Sequence, residues 1–239
     1  TPFGKPSAPV MVGEYQGAQV AFLPRHGARH EFSPTRVPYK ANISAFKQLG
    51  VTRIFGPCAA GSLKASVAPG HFVVADQVVD RTRHRDDSFF NEEGSPVAHI
   101  TFADPYCPQM RMVAIDACKA EGITVHEKGT VVVIEGPRFS TRAESRLFQN
   151  AGLEVINMTQ YPEAILAREQ EMCYVNISLI TDYDVGLEGM DVKPVTHTGV
   201  LEVFKNNNER LMKVLLRMVA ATPQEVTCEC QRALAGAHG

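Results

Sequence analysis

The sequence predicts an α/β domain built around a mixed or mostly parallel sheet. Short β-branched or aromatic runs recur along the chain, segments of helical periodicity lie between them, and Gly, Pro or Asp bounds most of them. Strands read at Val20–Leu23, Arg53–Gly56, His71–Ala75, Gly129–Ile134, Val155–Asn157 and Tyr174–Ile180. Helical patterns read at Asn42–Leu49, Gln109–Cys118 and Ser140–Phe148, followed by Gly50, Gly122 and Gly152, and each Gly suits a helix C-terminus. Pro162 opens a further helix running to Arg168. A long amphipathic helix over Thr198–Val219 places Val200, Val203, Phe204, Leu211, Val214 and Leu215 on its apolar side. The charged stretch Arg83–Glu93 reads as an exposed excursion, and the weakly patterned residues after Pro223 read as a fraying tail. The division is one domain over 1–220 and a tail over 221–239.

At 239 residues and 44% hydrophobic, the chain can bury one sizeable core. A formal net charge of −2 gives no basic excess to hold nucleic acid. No apolar stretch has membrane-spanning length, and the opening Thr1–Pro6 is loop-like rather than a secretory signal. Cys58, Cys107, Cys118 and Cys173 lie in apolar segments with no CxxC spacing, which suits reduced thiols of a cytoplasmic protein without a metal site.

The chemistry-bearing residues follow the strands. Thr181-Asp182-Tyr183-Asp184 puts two carboxylates two residues apart at the end of an apolar strand, where open α/β sheets bind ligands. They can accept hydrogen bonds from a heterocycle or hand it a proton. Arg25-His26-Gly27-Ala28-Arg29-His30 reads equally as an anion-binding loop or a solvated one. Pro57–Leu63 is a small-residue turn that admits close backbone approach; Cys58 has no base beside it to make it a nucleophile. Phe139, after Glu135-Gly136-Pro137-Arg138, either stacks on a base or fills the core, and Ser140 or Thr141 can cap the next helix. Met158 and Thr159 offer a soft apolar surface and a hydroxyl. If the strands are parallel, all five loops meet at one edge of the sheet.

Together these segments resemble the trimeric purine nucleoside phosphorylases. The resemblance rests on Thr1–Ser7, Arg25-His26-Gly27, Gly61-Ser62-Leu63, Asp76-Gln77, Asp80-Arg81-Thr82, Glu135–Ser140, Arg142–Ser145, Val155–Thr159 and Thr181–Asp184, in order along the chain. It implies a single-domain mixed sheet, or distorted barrel, flanked by helices. It also implies a homotrimer that cleaves an N-glycosidic bond with inorganic phosphate as co-substrate, using no metal or organic cofactor. On this resemblance Arg25, His26, Ala59 and Thr159 hold phosphate. Met158 packs on the ribose, Phe139 and Ser140 line the base pocket, and a neighbouring subunit lends His99. Asp182 shares or donates a proton at N7 of the base, and Asp184 helps hold its 6-amino edge. An ionised Asp accepts hydrogen bonds only, so the pair suits a 6-aminopurine and repels a 6-oxo group.

The leading expectation is 5'-methylthioadenosine as substrate. Another 5'-modified adenosine, adenosine itself, or nucleoside binding without turnover are the alternatives, and Val185–Met190 is the expected variable wall of the 5' pocket. Two departures stand out. The family opens with a strand and a Gly-rich phosphate loop upstream of Thr1, expected to lie in a longer chain. Many members carry a phosphate-contacting Thr where this chain has Cys58. The Cys228-Glu229-Cys230 tail is similar to a CxC in some archaeal members, and is expected to be disordered with free thiols.

Overall fold

The computed structural model describes residues 1–187 and 191–238. In chain order the elements are β1 (Met11–Tyr15), β2 (Ala18–Phe22), α1 (Tyr39–Gln48), β3 (Arg53–Ser62), β4 (Phe72–Val73), β5 (Gln77–Arg81), α2 (Pro108–Ala120), β6 (Val125–His126), β7 (Thr130–Ile134), α3 (Arg142–Asn150), β8 (Val155–Asn157), α4 (Gln160–Glu169), β9 (Cys173–Asp182) and α5 (His197–Ala221). β1 and β2 form a separate hairpin; the other strands form one sheet in the order β5-β7-β8-β3-β9-β4-β6.

The sheet is mixed, and this corrects the picture of five loops lined up by parallel strands. β3 runs parallel to β9, but β8 pairs antiparallel with β3, and β4 pairs antiparallel with β9. β3 and β8 pair only at Gly61↔Ile156 and Ser62↔Val155. That short crossing leaves the middle of β3 beside the end of β8, so the loops still converge, by crossing rather than by common direction.

β3 is also longer than its sequence suggested. Pro57–Ser62 is not a turn but the second half of the strand. Pro57 has no N–H to donate, and it sits where β8 does not pair, so the ladder loses nothing. β9 is buried at nine of its ten positions, as befits a strand covered on both faces. Its side chains alternate between two cores. Tyr174 and Ile180 join the α1 and α4 side, while Val175, Ile177 and Leu179 join the α2 and α5 side. α3 starts with a capping box, in which Thr141 accepts from the Glu144 N–H and the Glu144 carboxylate accepts from the Thr141 N–H.

Two segments, one read as an exposed excursion and one as a fraying tail, are largely exposed but anchored by a few buried residues. In Arg83–Glu93 the Arg85 guanidinium is buried, donating to Tyr161 O at 2.6 Å and Glu135 O at 2.8 Å. Phe89 lies in the core, with its N–H on Glu169 Oε2 at 2.7 Å. The charges of this stretch conceal its anchors. The residues after Pro223 do not fray either. Arg53 donates to Pro223 O at 2.7 Å, Glu229–Arg232 forms a 3-10 turn, and Cys230 is buried. The tail then pairs with a distant loop, where His99 N–H donates to Ala237 O at 2.8 Å and Ala98 bridges His238.

Phe89→Ala tests whether the 83–93 segment belongs to the core. Loss of a buried aromatic there should cost about 3–5 kcal/mol in urea unfolding; a change near zero would return the segment to the surface.

Candidate active site

The strand end of β9 builds a carboxylate corner. Asp182 accepts from Thr181 Oγ1 at 2.7 Å through Oδ2, and from the Asp184 N–H at 2.7 Å through Oδ1. Asp184 is held in the left-handed region at φ 51°, which turns its side chain inward to near-complete burial. Its Oδ2 is buried with no hydrogen-bond partner, and so is Ser140 Oγ. Burial raises the pKa of both acids. For Asp182 the hydrogen bonds from Thr181 and the Asp184 N–H temper the rise; for Asp184 the nearby Ser145 hydroxyl and the Val185 N–H do so. Gly61 makes the corner possible. A Cβ there would lie 2.9 Å from Asp182 Oδ1 and 2.9 Å from Ile156 Cγ2, so no larger residue fits beside the acid.

A second, cationic corner lies around the middle of β3. Arg25 forms a two-pronged ion pair with Glu163, Nε to Oε1 at 2.6 Å and Nη2 to Oε2 at 2.9 Å, and Nη1 donates to Pro57 O at 2.8 Å. Tyr174 Oη also donates to Glu163 Oε2, at 2.7 Å. Burial alone would lower the Arg25 pKa, but the Glu163 charge outweighs it and the guanidinium stays protonated. Three of its five N–H groups are used, leaving two for an anion. Backbone groups alternate along a strand, so Ala59 presents its N–H and C=O on the edge from which the Pro57 carbonyl meets Arg25. Thr159 occupies the N-cap position of α4, yet its side chain makes no cap bond.

His26 is half-buried, with Nδ1 2.8 Å from Phe32 O and its ring stacked on His30 at 4.4 Å. Burial lowers its pKa, so the neutral ring donates from Nδ1 and leaves Nε2 as an acceptor at neutral pH. Arg29 and His30 face solvent. The six-residue motif thus splits into an inward pair and an outward pair.

Cys58 points into a buried polar nest rather than toward a reacting partner. Its Sγ lies 3.4 Å from Asn157 Nδ2, 3.4 Å from Asn176 Nδ2, 3.7 Å from Gln160 Nε2 and 3.6 Å from Ser178 Oγ. Burial pushes this thiol up, away from the thiolate a nucleophile needs. Met158 packs against Gly136. A Cβ on Gly136 would meet its Sδ at 2.6 Å, which places Met158 against the turn that leads to half-buried Phe139. His99 is exposed and tied to the tail, and no contact among the described residues brings it to either corner of its own chain. Of the expected 5' wall, Val185 is buried and its carbonyl accepts from Arg142 Nη1 at 3.0 Å; Glu188, Gly189 and Met190 lie outside the described residues. No metal-ligating group of side chains is found at either corner among the described residues.

Sequence reasoning missed Glu163, Tyr174 and the amides around Cys58. Pro162-Glu163 read only as a helix start, and Tyr174 only as an apolar strand residue. The available signal was a single Glu in the first turn of an otherwise apolar helix start, Pro162-Glu163-Ala164-Ile165-Leu166.

A mixed sheet with an anion corner and a carboxylate corner at one crossing is a nucleoside phosphorylase arrangement, and the comparisons agree. The Phosphorylase superfamily profile matches residues 1–220, and the chain belongs to that family. Among its relatives, S-methyl-5'-thioadenosine phosphorylase of Pyrococcus abyssi is 52% identical over 230 residues, covering 96% of this chain and 87% of the relative. The protein of the same name from Mycobacterium tuberculosis is 48% identical, covering 97% of this chain and 84% of the relative. In structure, the chain resembles methylthioadenosine phosphorylase from Schistosoma mansoni in complex with adenine. The TM-score is 0.94 at 34% identity, over 100% of this chain and 90% of that one.

Two stability measurements probe the corners. Glu163→Ala strands a buried guanidinium and should cost about 3–5 kcal/mol in urea unfolding; a loss below about 1 kcal/mol, the scale of exposed pairs, would show the pair to be solvated. Asp182 has a folded pKa above its unfolded value, so the stability it contributes is present below the unfolded pKa and lost as pH rises through the folded one. Asp182→Asn should therefore melt at higher temperature than the parent at pH 7, with the gain fading toward the ordinary carboxylate range. An unchanged or lower melting temperature at pH 7 would refute the buried-charge account.

Proposed function

We propose that the protein is a pentosyltransferase that cleaves 5'-methylthioadenosine with inorganic phosphate, giving adenine and 5-methylthioribose 1-phosphate. The observation that carries this reading is the orphan pair at the carboxylate corner, Asp184 Oδ2 and Ser140 Oγ, in a chain about half identical to phosphorylases of that nucleoside. A buried acceptor without a partner calls for a donor from a ligand, and the 6-amino group of adenine supplies one.

The chemistry follows from the two corners. As the C1'–N9 bond breaks, its electron pair leaves with the purine and the sugar becomes oxocarbenium-like. The bound nucleoside excludes water from Asp182, whose pKa burial already raises, so the acid takes up a proton from solvent in the complex and delivers it to N7 of the departing base. A phosphate oxygen bonds to C1' from below, and the proton of hydrogen phosphate replaces the one Asp182 gave. Phosphate sits between the remaining N–H groups of Arg25, the Ala59 backbone and the Thr159 hydroxyl. Neutral His26 accepts from a protonated phosphate oxygen through Nε2. Met158 covers the ribose and Phe139 the base. No organic cofactor or catalytic metal enters these steps.

His99 is the residue a neighbouring copy lends to the 5' pocket, which requires an oligomer, and a homotrimer is the form we infer. Exposed Met11 and Phe22, paired across the β1–β2 hairpin, support it, because an apolar face gains by being covered. The unpaired cysteines support a reducing, cytoplasmic setting. Among the described residues no helix is long and apolar enough to cross a membrane, and the near-neutral charge supports small-molecule partners rather than nucleic acid. Adenosine is a second substrate to test, because a structural neighbour bound to methylthioadenosine is an adenosine/methylthioadenosine phosphorylase (TM-score 0.92, 35% identity).

Incubation with 5'-methylthioadenosine should release adenine only when phosphate is present, followed by chromatography; phosphate-independent release would sink the reaction. Asp182→Asn should lose activity on 6-aminopurine nucleosides by about 10²-fold or more, the scale of general-acid assistance. Full activity of that variant would remove Asp182 from the chemistry.

A further inference from the structure

Four thiols from three parts of the chain meet far along β9 from the carboxylate corner. Cys107 is the N-cap of α2, Cys173 is the first residue of β9, and Cys228 and Cys230 come from the tail. Their Sγ atoms all lie within 4.8 Å of one another. Cys228 is 3.6 Å from Cys107 and 3.4 Å from Cys173. Three of the four residues are buried and Cys228 is half-buried. Cys58 and Cys118 take no part.

We propose that these four side chains bind one Zn²⁺ in a closed, structural tetrathiolate site. A tetrahedron with Zn–S bonds of about 2.3 Å has S···S edges of about 3.8 Å, close to the separations found. Four soft sulfur ligands with no carboxylate or imidazole among them select a soft, tetrahedral ion over a hard one. Pairwise disulfides fit less well. Cys228 stands almost equally near Cys107 and Cys173 but can bond to only one. A Cys228–Cys230 bond would close a strained ring across a single residue. One ion satisfies all four sulfurs together.

Binding forms four Zn–S bonds and releases the thiol protons to solvent, with no change of oxidation state. The site then carries two net negative charges, and the surroundings offset them. The Met110 N–H donates to Cys107 Sγ at 3.4 Å, at the positive end of the thirteen-residue α2. The Arg168 guanidinium brings a positive charge toward Cys230. A surface cavity of about 410 Å³, lined by Pro108, Gln109, Thr227 and Cys228 among others, gives an ion a path to the cluster. The ion would staple the tail to the sheet and to α2, independently of catalysis.

The test is metal analysis of the purified chain, prepared under reducing conditions without added chelator. Elemental analysis should find about one zinc per chain, the content of a single closed four-sulfur site. An organomercurial should release that zinc to a chromogenic chelator, and stripping it should lower the melting temperature. Cys230→Ser should lose the zinc and Cys118→Ser should keep it. Should Cys230→Ser fail to fold, refolding the parent chain from denaturant with and without Zn²⁺ answers the same question through uptake of the ion and recovery of the melting temperature. Four free thiols with no zinc retained after refolding in its presence would overturn the proposal. A mass four hydrogens lighter, from two disulfides, would overturn it equally.

Discussion

The ion pair between Arg25 and Glu163 is the constraint on which the rest of the site depends. It fastens the loop after β2 to three elements that already pack together: the middle of β3 through Pro57 O, the first turn of α4, and β9 through Tyr174. A buried pair of this kind adds little net stability, because desolvating two charges costs about what their attraction returns. What it supplies is position. Each guanidinium nitrogen has an assigned partner, so the donors that remain point in fixed directions. A solvated arginine in the same loop would have to be ordered anew each time an anion arrived.

The carboxylate corner works in the opposite way. There the polar groups are buried and one acceptor is left without a donor, at Asp184 Oδ2. Asp184 also holds a positive φ that an aspartate tolerates better than most residues. Such arrangements persist only when the surroundings enforce them. Here Gly61 makes room, Thr181 and the turn amide fix Asp182, and the capped start of α3 delivers Ser140 and Ser145. The two corners divide the labour, one organised around fixed charge and the other around an unmet hydrogen bond.

Much of this was legible in the chain. The five loops were found from their residue types, since Arg-His-Gly, Gly-Ser-Leu and Thr-Asp-Tyr-Asp each break an apolar run, and long helices such as α5 announced themselves by period. What was hidden depended on partners far away in sequence. β3 read as ending at Gly56 because Pro57 and the small residues after it look like a turn; only the unpaired stretch beside β8 shows why they can extend. Arg85 looked like one charge among many until Tyr161 O and Glu135 O were found around it. The tail cysteines have no internal pattern that predicts burial, since their neighbours, Cys107 and Cys173, are 121 and 55 residues from Cys228.

The pairing of the tail with the loop around His99 has a practical side. Ala98 bridges His238, and the His99 amide rests on Ala237. Anything attached after residue 238, whether an affinity tag or a fluorescent reporter, would begin next to the loop proposed to complete a neighbour's pocket. A label there would report on that loop, and a bulky one would hinder it. The hairpin of β1 and β2 carries the opposite hazard, because its apolar face is the surface a graft would cover.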